Sequence, residues 1–231
     1  NASNLAKEWF NKALDNGLAM FQGNLRNIYI DEADFSNARR VARTAAELGN
    51  PAMMLYTGLD CHENGKFEDA FTWFTKGAAL GQSESIAELA DYYYHFYDTK
   101  ELRRVIPYDP VKAIGLYRRA ATKYFSDAGY AALQAAFGYI FHIGHLPLDW
   151  GLIADLTHMA ATKERFMFSL PYIGYMRIHG FGVTKNIRFG VQSLTRVLDE
   201  EKRALEEEDR VLFYDITRAL TRVALGYAYE N

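Results

Sequence analysis

A nine-residue pattern returns six times along this 231-residue chain, and its spacing restricts the folds that the chain can adopt. Each copy combines an aromatic or aliphatic pair, a basic or polar residue and two small residues, and often ends with a glycine. Successive copies begin 32, 32, 43, 40 and 38 residues apart, at Trp9, Val41, Trp73, Leu116, Leu156 and Leu194. Such intervals are typical of helical hairpins, which stack because one hairpin cannot bury its own apolar face. We therefore expect an all-α solenoid of antiparallel helix-turn-helix repeats, with about five to six hairpins in a single array over residues 1–231.

A second pattern lies between the copies of the first. It consists of a small residue, a pair similar to Leu-Gly, an aromatic residue three positions on, and then a glycine. The fullest example runs from Ile173 to Val183, the next from Phe137 to Gly144, and shorter ones cover Leu89 to Tyr93 and Leu225 to Tyr229. Glycine inside a helix costs about 1 kcal/mol of helix propensity, so a repeated small residue indicates that two helices approach each other closely there.

Local signals mark where these helices begin and end. Asp109 and Pro110 suit the N-cap and the first turn of a helix, and Pro51 suits the start of another helix, where its missing amide is harmless. Three glycines follow the small pair at the same interval and suit the left-handed position that ends a helix, namely Gly17, Gly49 and Gly81.

Charge and hydrophobicity exclude two classes of function. The formal net charge of −3 argues against nucleic-acid binding, which needs a dense basic surface to displace counterions. No stretch approaches the roughly 18 apolar residues of a membrane-spanning helix, so we expect no membrane span. Arginine clusters do occur, and we interpret them as solvated helix faces. The clusters comprise Arg39, Arg40, Arg43, Arg103, Arg104, Arg118 and Arg119.

The cysteine content and the first residue bear on the compartment of the protein. The single cysteine, Cys61, rules out a disulfide bond within the chain and does not distinguish an oxidising from a reducing compartment. The chain begins at Asn1 rather than at methionine. We therefore expect that a processed export signal has been removed or that the sequence has been trimmed. The residues themselves leave the localisation open.

The two patterns together resemble the Sel-one-like repeat family, a relative of the tetratricopeptide repeats. In that family, a helix and turn of the form Leu-Gly-x-x-Tyr-x-x-Gly-x-Gly-Val precede an acidic residue, an alanine and Trp-Tyr-x-Lys-Ala-Ala-x-x-Gly. The match is good from Ile173 to Val183, from Asp109 to Ala121 and from Glu68 to Gly81, and it covers most of the chain. The chain departs from the family pattern at Arg177, which replaces an aromatic residue, and at Tyr56, which replaces a glycine.

The resemblance implies a right-handed superhelix of antiparallel helix pairs. Its concave side, lined mostly by the first helix of each pair, binds partner proteins. Family members serve as adaptors in bacterial signalling, in host contact and in eukaryotic protein quality control, and some are periplasmic immunity proteins that block a secreted toxin. On this basis the periplasm is the favoured location, with the cytoplasm as the alternative, and we expect a monomer when no partner is bound.

Two segments interrupt the repeat spacing. The segment from Asp98 to Tyr108 lengthens one hairpin turn and carries Arg103 and Arg104. Insertions in repeat proteins collect on loops at one face, which is often a binding face, although a tolerated surface insertion is the alternative. The second segment, from Asp199 to Arg210, is highly charged, and we expect it to extend a hairpin into solvent.

A dense run of aromatic residues indicates a contact surface, because consecutive helical residues are spread by about 100 degrees and one face cannot bury them all. The run comprises Tyr92, Tyr93, Tyr94, Phe96 and Tyr97. By the family register Tyr93 is the core position, which leaves Tyr92, Tyr94 and His95 as surface candidates. Related positions in later repeats are further candidates for binding a partner, at Tyr139, His142, Tyr175, Arg177 and His179. Packing between neighbouring hairpins is the alternative role for each of these residues.

Signals for catalysis or for metal binding are weak. His142 and His145 lie on either side of Gly144 at an expected helix end, and no third metal ligand is near them in sequence, so we expect no metal site. Cys61 and His62 could form a thiol nucleophile with its base, but adjacent helical residues point apart. We expect a structural cysteine. The common motifs for hydrolysis and phosphate binding are absent from the sequence.

We therefore predict a non-enzymatic protein that binds a protein partner and sequesters or inhibits it, without a cofactor. A bacterial exported protein that neutralises a secreted toxin is the most concrete form of this prediction, and it depends on the resemblance. A scaffold or adaptor in signalling or assembly is the alternative among binding proteins. A hydrolase that uses Cys61 and His62 is the alternative among enzymes.

Overall fold

A computed structural model of the chain describes residues 2–18, 22–95, 99–123, 127–163 and 166–206. Over these residues the structure consists of twelve α-helices and one short 3-10 helix, without a β-strand. The α-helices are α1 (Ala2–Asp15), α2 (Gln22–Asp31), α3 (Phe35–Glu47), α4 (Pro51–Glu63), α5 (Phe67–Ala79), α6 (Ser83–Tyr94), α7 (Lys100–Val105), α8 (Pro110–Ala121), α9 (Ala128–Ile140), α10 (Trp150–Lys163), α11 (Phe166–His179) and α12 (Ile187–Glu206). The 3-10 helix covers Ile143–His145.

The helices alternate as the two sequence patterns predict. The six copies of the nine-residue pattern fall on α1, α3, α5, α8, α10 and α12, which are the first helices of the repeats. The second pattern falls on α6, α9 and α11, and its remaining example, at Leu225 to Tyr229, lies outside the described residues. The predicted helix-turn-helix repeats are therefore confirmed where the structure describes the chain.

The ends of the helices follow from local chemistry. The side chain of Asn50 accepts a hydrogen bond from the amide of Met53 at 3.2 Å, and Pro51 occupies the first position of α4. At the start of α8, Asp109 Oδ1 accepts a hydrogen bond from the amide of Lys112 at 3.0 Å. The three predicted terminating glycines have φ angles of 78°, 93° and 82°, at Gly17, Gly49 and Gly81. These values lie in the left-handed region, which confirms the predicted helix ends.

The chain divides into two compact units, Asn1–Leu116 and Tyr117–Asn231. In the first unit, each helix from α1 to α6 packs against the next, and α2, α4 and α6 also contact one another in that order. Residues that this packing buries include Leu25, Val41, Phe74, Ile86, Tyr92 and Leu102. In the second unit, α9 packs against α10, α10 against α11 and α11 against α12, and the packing buries Ile153, Met176, Ile178 and Leu194. The number of hairpins in the complete array stays a prediction.

The two interruptions of the repeat spacing have different outcomes. The insertion contains the short helix α7, which packs on α5 and includes the fully buried Leu102. The charged segment continues α12 as far as Glu206, and its remainder, up to Arg210, lies outside the described residues. Among the helices that the structure describes, none is long and apolar enough to cross a membrane.

Two glycines allow α11 and α12 to cross at close range. A Cβ atom added to Gly190 would lie 2.6 Å from Ile178 Cγ1 and 2.8 Å from the carbonyl oxygen of Gly174. A Cβ atom added to Gly174 would lie 2.8 Å from Leu194 Cγ. The small residue of the second pattern therefore marks a point of helix contact, as the sequence predicts.

We expect Gly190→Ala to lower the free energy of unfolding by about 1 to 3 kcal/mol, because the added methyl group collides with the Ile178 side chain and the Gly174 carbonyl oxygen, so that α11 or α12 has to shift. Gly115→Ala is the matched control, since it lies in the interior of α8 and an added Cβ meets nothing within 4 Å. The control should raise the free energy of unfolding by about 0.5 to 1 kcal/mol through helix propensity. Urea unfolding followed by circular dichroism measures both changes, and a stabilising Gly190→Ala would contradict the close crossing.

Candidate binding groove

A groove of about 320 Å³ opens in the first unit where α2, α3 and α4 meet, and we call it the α2–α3–α4 groove. Two buried alanines, Ala38 and Ala42, contribute to its lining and leave space between the larger side chains. The other lining residues are Arg26 and Ile30 from α2, Phe35, Arg39 and Arg43 from α3, and Tyr56, Thr57, Leu59, Asp60 and Glu63 from α4. Aromatic, aliphatic and charged groups therefore face one cavity.

Tyr56 and Arg26 contribute to the lining from α4 and α2. The guanidinium carbon of Arg26 lies 3.7 Å from the centre of the Tyr56 ring, which is a cation–π distance. Tyr56 nevertheless remains 37% exposed. Position 56 is the one at which the family pattern predicts glycine. The tyrosine is therefore a feature of this chain that builds the groove.

Two arginines of α3 line the same groove. Arg39 Nε lies 2.9 Å from Asp60 Oδ1, which joins α3 to α4 by an ion pair. Arg43 Nη2 lies 3.9 Å from the Sγ atom of Cys61. The interpretation of Arg39 and Arg43 as part of a solvated helix face misses this groove. Their spacing of four residues, beside Ala38 and Ala42 at the same spacing, is the sequence signal that could have indicated it.

Two of the predicted binding residues, Tyr92 and Tyr139, are buried. The prediction that Tyr92 lies at the surface is therefore wrong, and the alternative role of packing between helices describes Tyr139. Tyr92 has no exposed surface, and its Oη lies 2.7 Å from Nδ1 of His62. Tyr139 is 8% exposed, and its hydroxyl accepts a hydrogen bond from Arg118 Nη1 at 3.0 Å. Tyr93, the predicted core position, is buried as expected.

Tyr94 and His95 are half-buried beside the insertion. The centres of their rings lie 6.4 Å and 5.3 Å from the centre of the Tyr108 ring, and Tyr108 is 58% exposed. Nε2 of His95 lies 2.9 Å from the carbonyl oxygen of Ile106, which ties the insertion to the end of α6. Burial raises the pKa of Tyr94, and Tyr108 adds to this effect.

Arg103 and Arg104 are exposed on α7, which precedes Tyr108 in the insertion. The other two aromatic residues of the predicted run, Phe96 and Tyr97, lie outside the described residues. A contact between the insertion and a partner stays a prediction.

In the second unit, three predicted binding residues lie on α11 and hold the loop that follows it. Ring centres of Tyr175 and His179 are 4.5 Å apart, and His179 stacks on Phe181 at 5.1 Å. Arg177 Nη1 donates a hydrogen bond to the carbonyl oxygen of Thr184 at 3.0 Å. Burial lowers the pKa of His179, and Lys185 adds to this effect. Each of the three is half-buried, so local packing occupies a large part of their surface.

His142 is exposed and has a left-handed backbone, with a φ of 48°. Its Nδ1 atom lies 3.1 Å from the carbonyl oxygen of Leu146, so the ring contacts the turn after α9. Over the part of the chain that the structure describes, no group of three or more His, Cys, Asp and Glu side chains is placed to hold a metal ion.

The geometry around Cys61 does not favour a reactive thiol. Cys61 is 1% exposed, and burial raises the pKa of its thiol despite the opposing charge of Arg43. Nδ1 of the adjacent His62 faces Tyr92 instead, and burial lowers the pKa of that imidazole. A nucleophilic cysteine needs a thiolate with a base beside it. The predicted structural role of Cys61 agrees with its burial.

The sequence profile described as "Sel1 repeat" matches residues 3–18, 42–82, 83–124 and 172–192, which is more than half of the chain. None of the curated proteins matches the sequence significantly.

Two solved structures have a similar fold. The first is a protective antigen present in uropathogenic Escherichia coli strains that displays an SLR fold, with 19% identity, a TM-score of 0.67 and coverage of 84% of this chain. This chain spans only 40% of that protein. The second is a Sel1 repeat protein from Oxalobacter formigenes, with 22% identity, a TM-score of 0.61 and coverage of 85% of this chain and 77% of that protein. These likenesses confirm the predicted fold class, an all-α repeat solenoid.

Proposed function

This chain belongs to the Sel1 repeat family, and from that premise we propose that it binds a partner protein in the α2–α3–α4 groove. Proteins with these repeats generally serve as scaffolds for protein–protein interactions. The observation that carries the proposal is the open groove, which leaves Tyr56 37% and Phe35 56% exposed beside three arginines. Tyrosine and arginine are enriched among the residues that contribute most to protein interfaces.

The proposal can be tested by capturing a partner with the tagged chain from its native host, with the product of the neighbouring gene tried first. We expect Tyr56→Ala to weaken the complex by at least about tenfold, because it removes a central aromatic contact. Phe141→Ala is a matched control, since Phe141 is 50% exposed and lies in the other unit. Titration calorimetry on the purified pair measures the affinities. Equal affinities for both variants, or the absence of any partner, would contradict the proposal.

Sequestration of the partner is the finer proposal, and neutralisation of a secreted toxin is its most concrete form. The support for it is the family resemblance, and it carries with it a periplasmic location, where an exported chain and a toxin can meet. Equimolar addition of the chain should then abolish the activity of a toxin encoded by the neighbouring gene. Full toxin activity at a saturating amount of bound chain would instead favour the scaffold or adaptor.

A further inference from the structure

The α2–α3–α4 groove differs in charge from the chain as a whole. Its lining contains three arginines and two carboxylates, Asp60 and Glu63, whereas the formal net charge of the chain is −3. The groove is therefore a local positive site on an acidic protein. A partner that recognises this site through charge has to present negative groups.

The three arginines of the groove differ in whether a carboxylate of this chain pairs with them. Arg39 is paired with Asp60 at 2.9 Å. Among the described residues, the contacts of Arg26 are the Tyr56 ring at 3.7 Å and the amide oxygen of Asn27 at 3.4 Å. The contact of Arg43 is the thiol sulfur of Cys61 at 3.9 Å. Neither Arg26 nor Arg43 has a carboxylate of this chain within ion-pair distance, as judged over the described residues.

The size and the apolar lining of the groove limit the shape of its occupant. Binding pockets in proteins commonly have volumes of about 300 to 1,000 Å³, and 320 Å³ lies at the lower end of this range. The space accommodates a few side chains rather than a folded surface. Ile30, Phe35 and Leu59 lie beside the arginines, and Phe35 is 56% exposed. In a partner segment with adjacent apolar and acidic residues, the apolar side chain would therefore be buried against the aliphatic and aromatic lining, and the acidic side chain would meet a guanidinium group.

We propose that the groove binds a short acidic segment of the partner protein, in which carboxylates pair with Arg26 and Arg43 and apolar side chains contact Ile30, Phe35 and Leu59. This inference rests on the proposed function and names the chemistry of the partner. Arginine suits the role because its planar guanidinium group can bind a carboxylate through two parallel hydrogen bonds. Stacking on Tyr56 holds the Arg26 group in place before the partner arrives.

A fluorescein-labelled peptide of alternating glutamate and leucine is a suitable probe, and the same peptide with glutamine in place of glutamate is its control. Fluorescence anisotropy with the full chain gives the two affinities. We expect the acidic peptide to bind at least tenfold more tightly, and its affinity to fall as sodium chloride is raised from about 50 to 300 mM, because salt screens exposed charges. Equal affinities for the two peptides would overturn the proposal.

Variants of matched charge locate the site. The double variant Arg26→Gln/Arg43→Gln should weaken binding of the acidic peptide at least tenfold. The double variant Lys185→Gln/Arg188→Gln removes the same charge from exposed positions outside the groove, and it should change the affinity by less than about threefold, since distant exposed charges are screened. Equal losses for the two double variants would overturn the proposal. Circular dichroism confirms that each variant is folded.

A further variant keeps the test decisive if the double groove variant does not fold. Glu63 is exposed and lines the groove, so Glu63→Gln removes a negative charge without disturbing the core. It should tighten binding of the acidic peptide about two- to fivefold, because one repulsive contact is lost. An unchanged affinity would count against the proposal. A single-stranded oligonucleotide of the same length that binds as tightly as the acidic peptide would also overturn it.

The failure of this inference differs from the failure of the proposed function. If the native partner binds the Arg26→Gln/Arg43→Gln variant as tightly as the unmodified chain, the chain binds a protein, but the proposal that it recognises an acidic segment is wrong. If no partner is found at all, the proposed function itself fails. Competition supports both proposals when the acidic peptide displaces the native partner and the glutamine peptide does not.

Discussion

Tyr92→Ala is expected to lower the free energy of unfolding by about 3 to 5 kcal/mol, the range observed when a large buried aromatic side chain is truncated. Tyr92 has no exposed surface, and its ring lies edge-on against Phe74, with the ring centres 5.4 Å apart. The substitution also removes the hydroxyl that faces His62 Nδ1 at 2.7 Å. Urea unfolding at neutral pH measures the loss.

Two further variants separate the contributions. Tyr92→Phe keeps the ring and removes only the hydroxyl, so we expect a cost of about 1 kcal/mol. Tyr56→Ala makes the same truncation at an exposed site and should cost about 0.5 to 1 kcal/mol, through loss of the cation–π contact with Arg26. If Tyr92→Ala kept the stability of the unmodified chain and lost partner binding, Tyr92 would be a contact residue after all.

Gly182→Ala is expected to lower the free energy of unfolding by about 2 to 5 kcal/mol. The φ angle of Gly182 is 66°, where a residue with a Cβ atom is strained by about 1 to 2 kcal/mol. An added Cβ would also overlap the carbonyl oxygen of Trp150, at the start of α10. Because this oxygen belongs to the backbone, relieving the overlap requires the loop or the helix to shift, which costs a further 1 to 3 kcal/mol or so.

Gly81→Ala is the control that isolates the strain. Its φ angle of 82° is similar, but an added Cβ meets nothing within 4 Å. We expect a loss of only about 1 to 2 kcal/mol for this variant. Tryptophan fluorescence in urea follows both proteins, and Trp150 reports on the site of the first substitution. Equal losses of unfolding free energy for the two variants would show that the loop shifts away from Trp150 without an energetic cost.

The positions of the helices could be predicted from the sequence because the signals are local. Each copy of the nine-residue pattern lies within one helix and the turn after it. It includes an aliphatic residue such as Val41, two small residues and a terminating glycine, so the pattern itself indicates where the helix ends. Asn50 and Asp109 cap helices through amides three residues away, and such contacts depend little on the rest of the fold.

Burial of adjacent tyrosines could not be predicted in the same way. The prediction treats α6 as a helix with one buried face, but neighbouring helices cover it on more than one side. His62 of α4 and Phe74 of α5 contact Tyr92, while Phe71 of α5 contacts Tyr93. A helix that is buried nearly all round can hold consecutive aromatic residues in the core. Sequence spacing within α6 carries no information about how many neighbours surround it.

The groove was missed for a related reason. Arg39 and Arg43 have the pattern of a solvated face when α3 is considered alone. Their position in the groove depends on the packing of α2, which carries Arg26, and of α4, which carries Asp60. Besides the spacing of these arginines, Tyr56 offered a specific hint, since it replaces the glycine of the family pattern. A departure from a repeat consensus at an exposed position is a useful place to look for recognition.

The order of packing in the first unit has an evolutionary consequence. The helices contact their neighbours in sequence, and the groove requires only α2, α3 and α4, within residues 26–63. Mutational drift on the faces of α5, α6 and α7 that do not pack against α4 can therefore proceed without altering the groove. Selection can adjust the specificity of a repeat protein one helix at a time, and a lineage can exchange one partner for another while the rest of the scaffold is inherited unchanged.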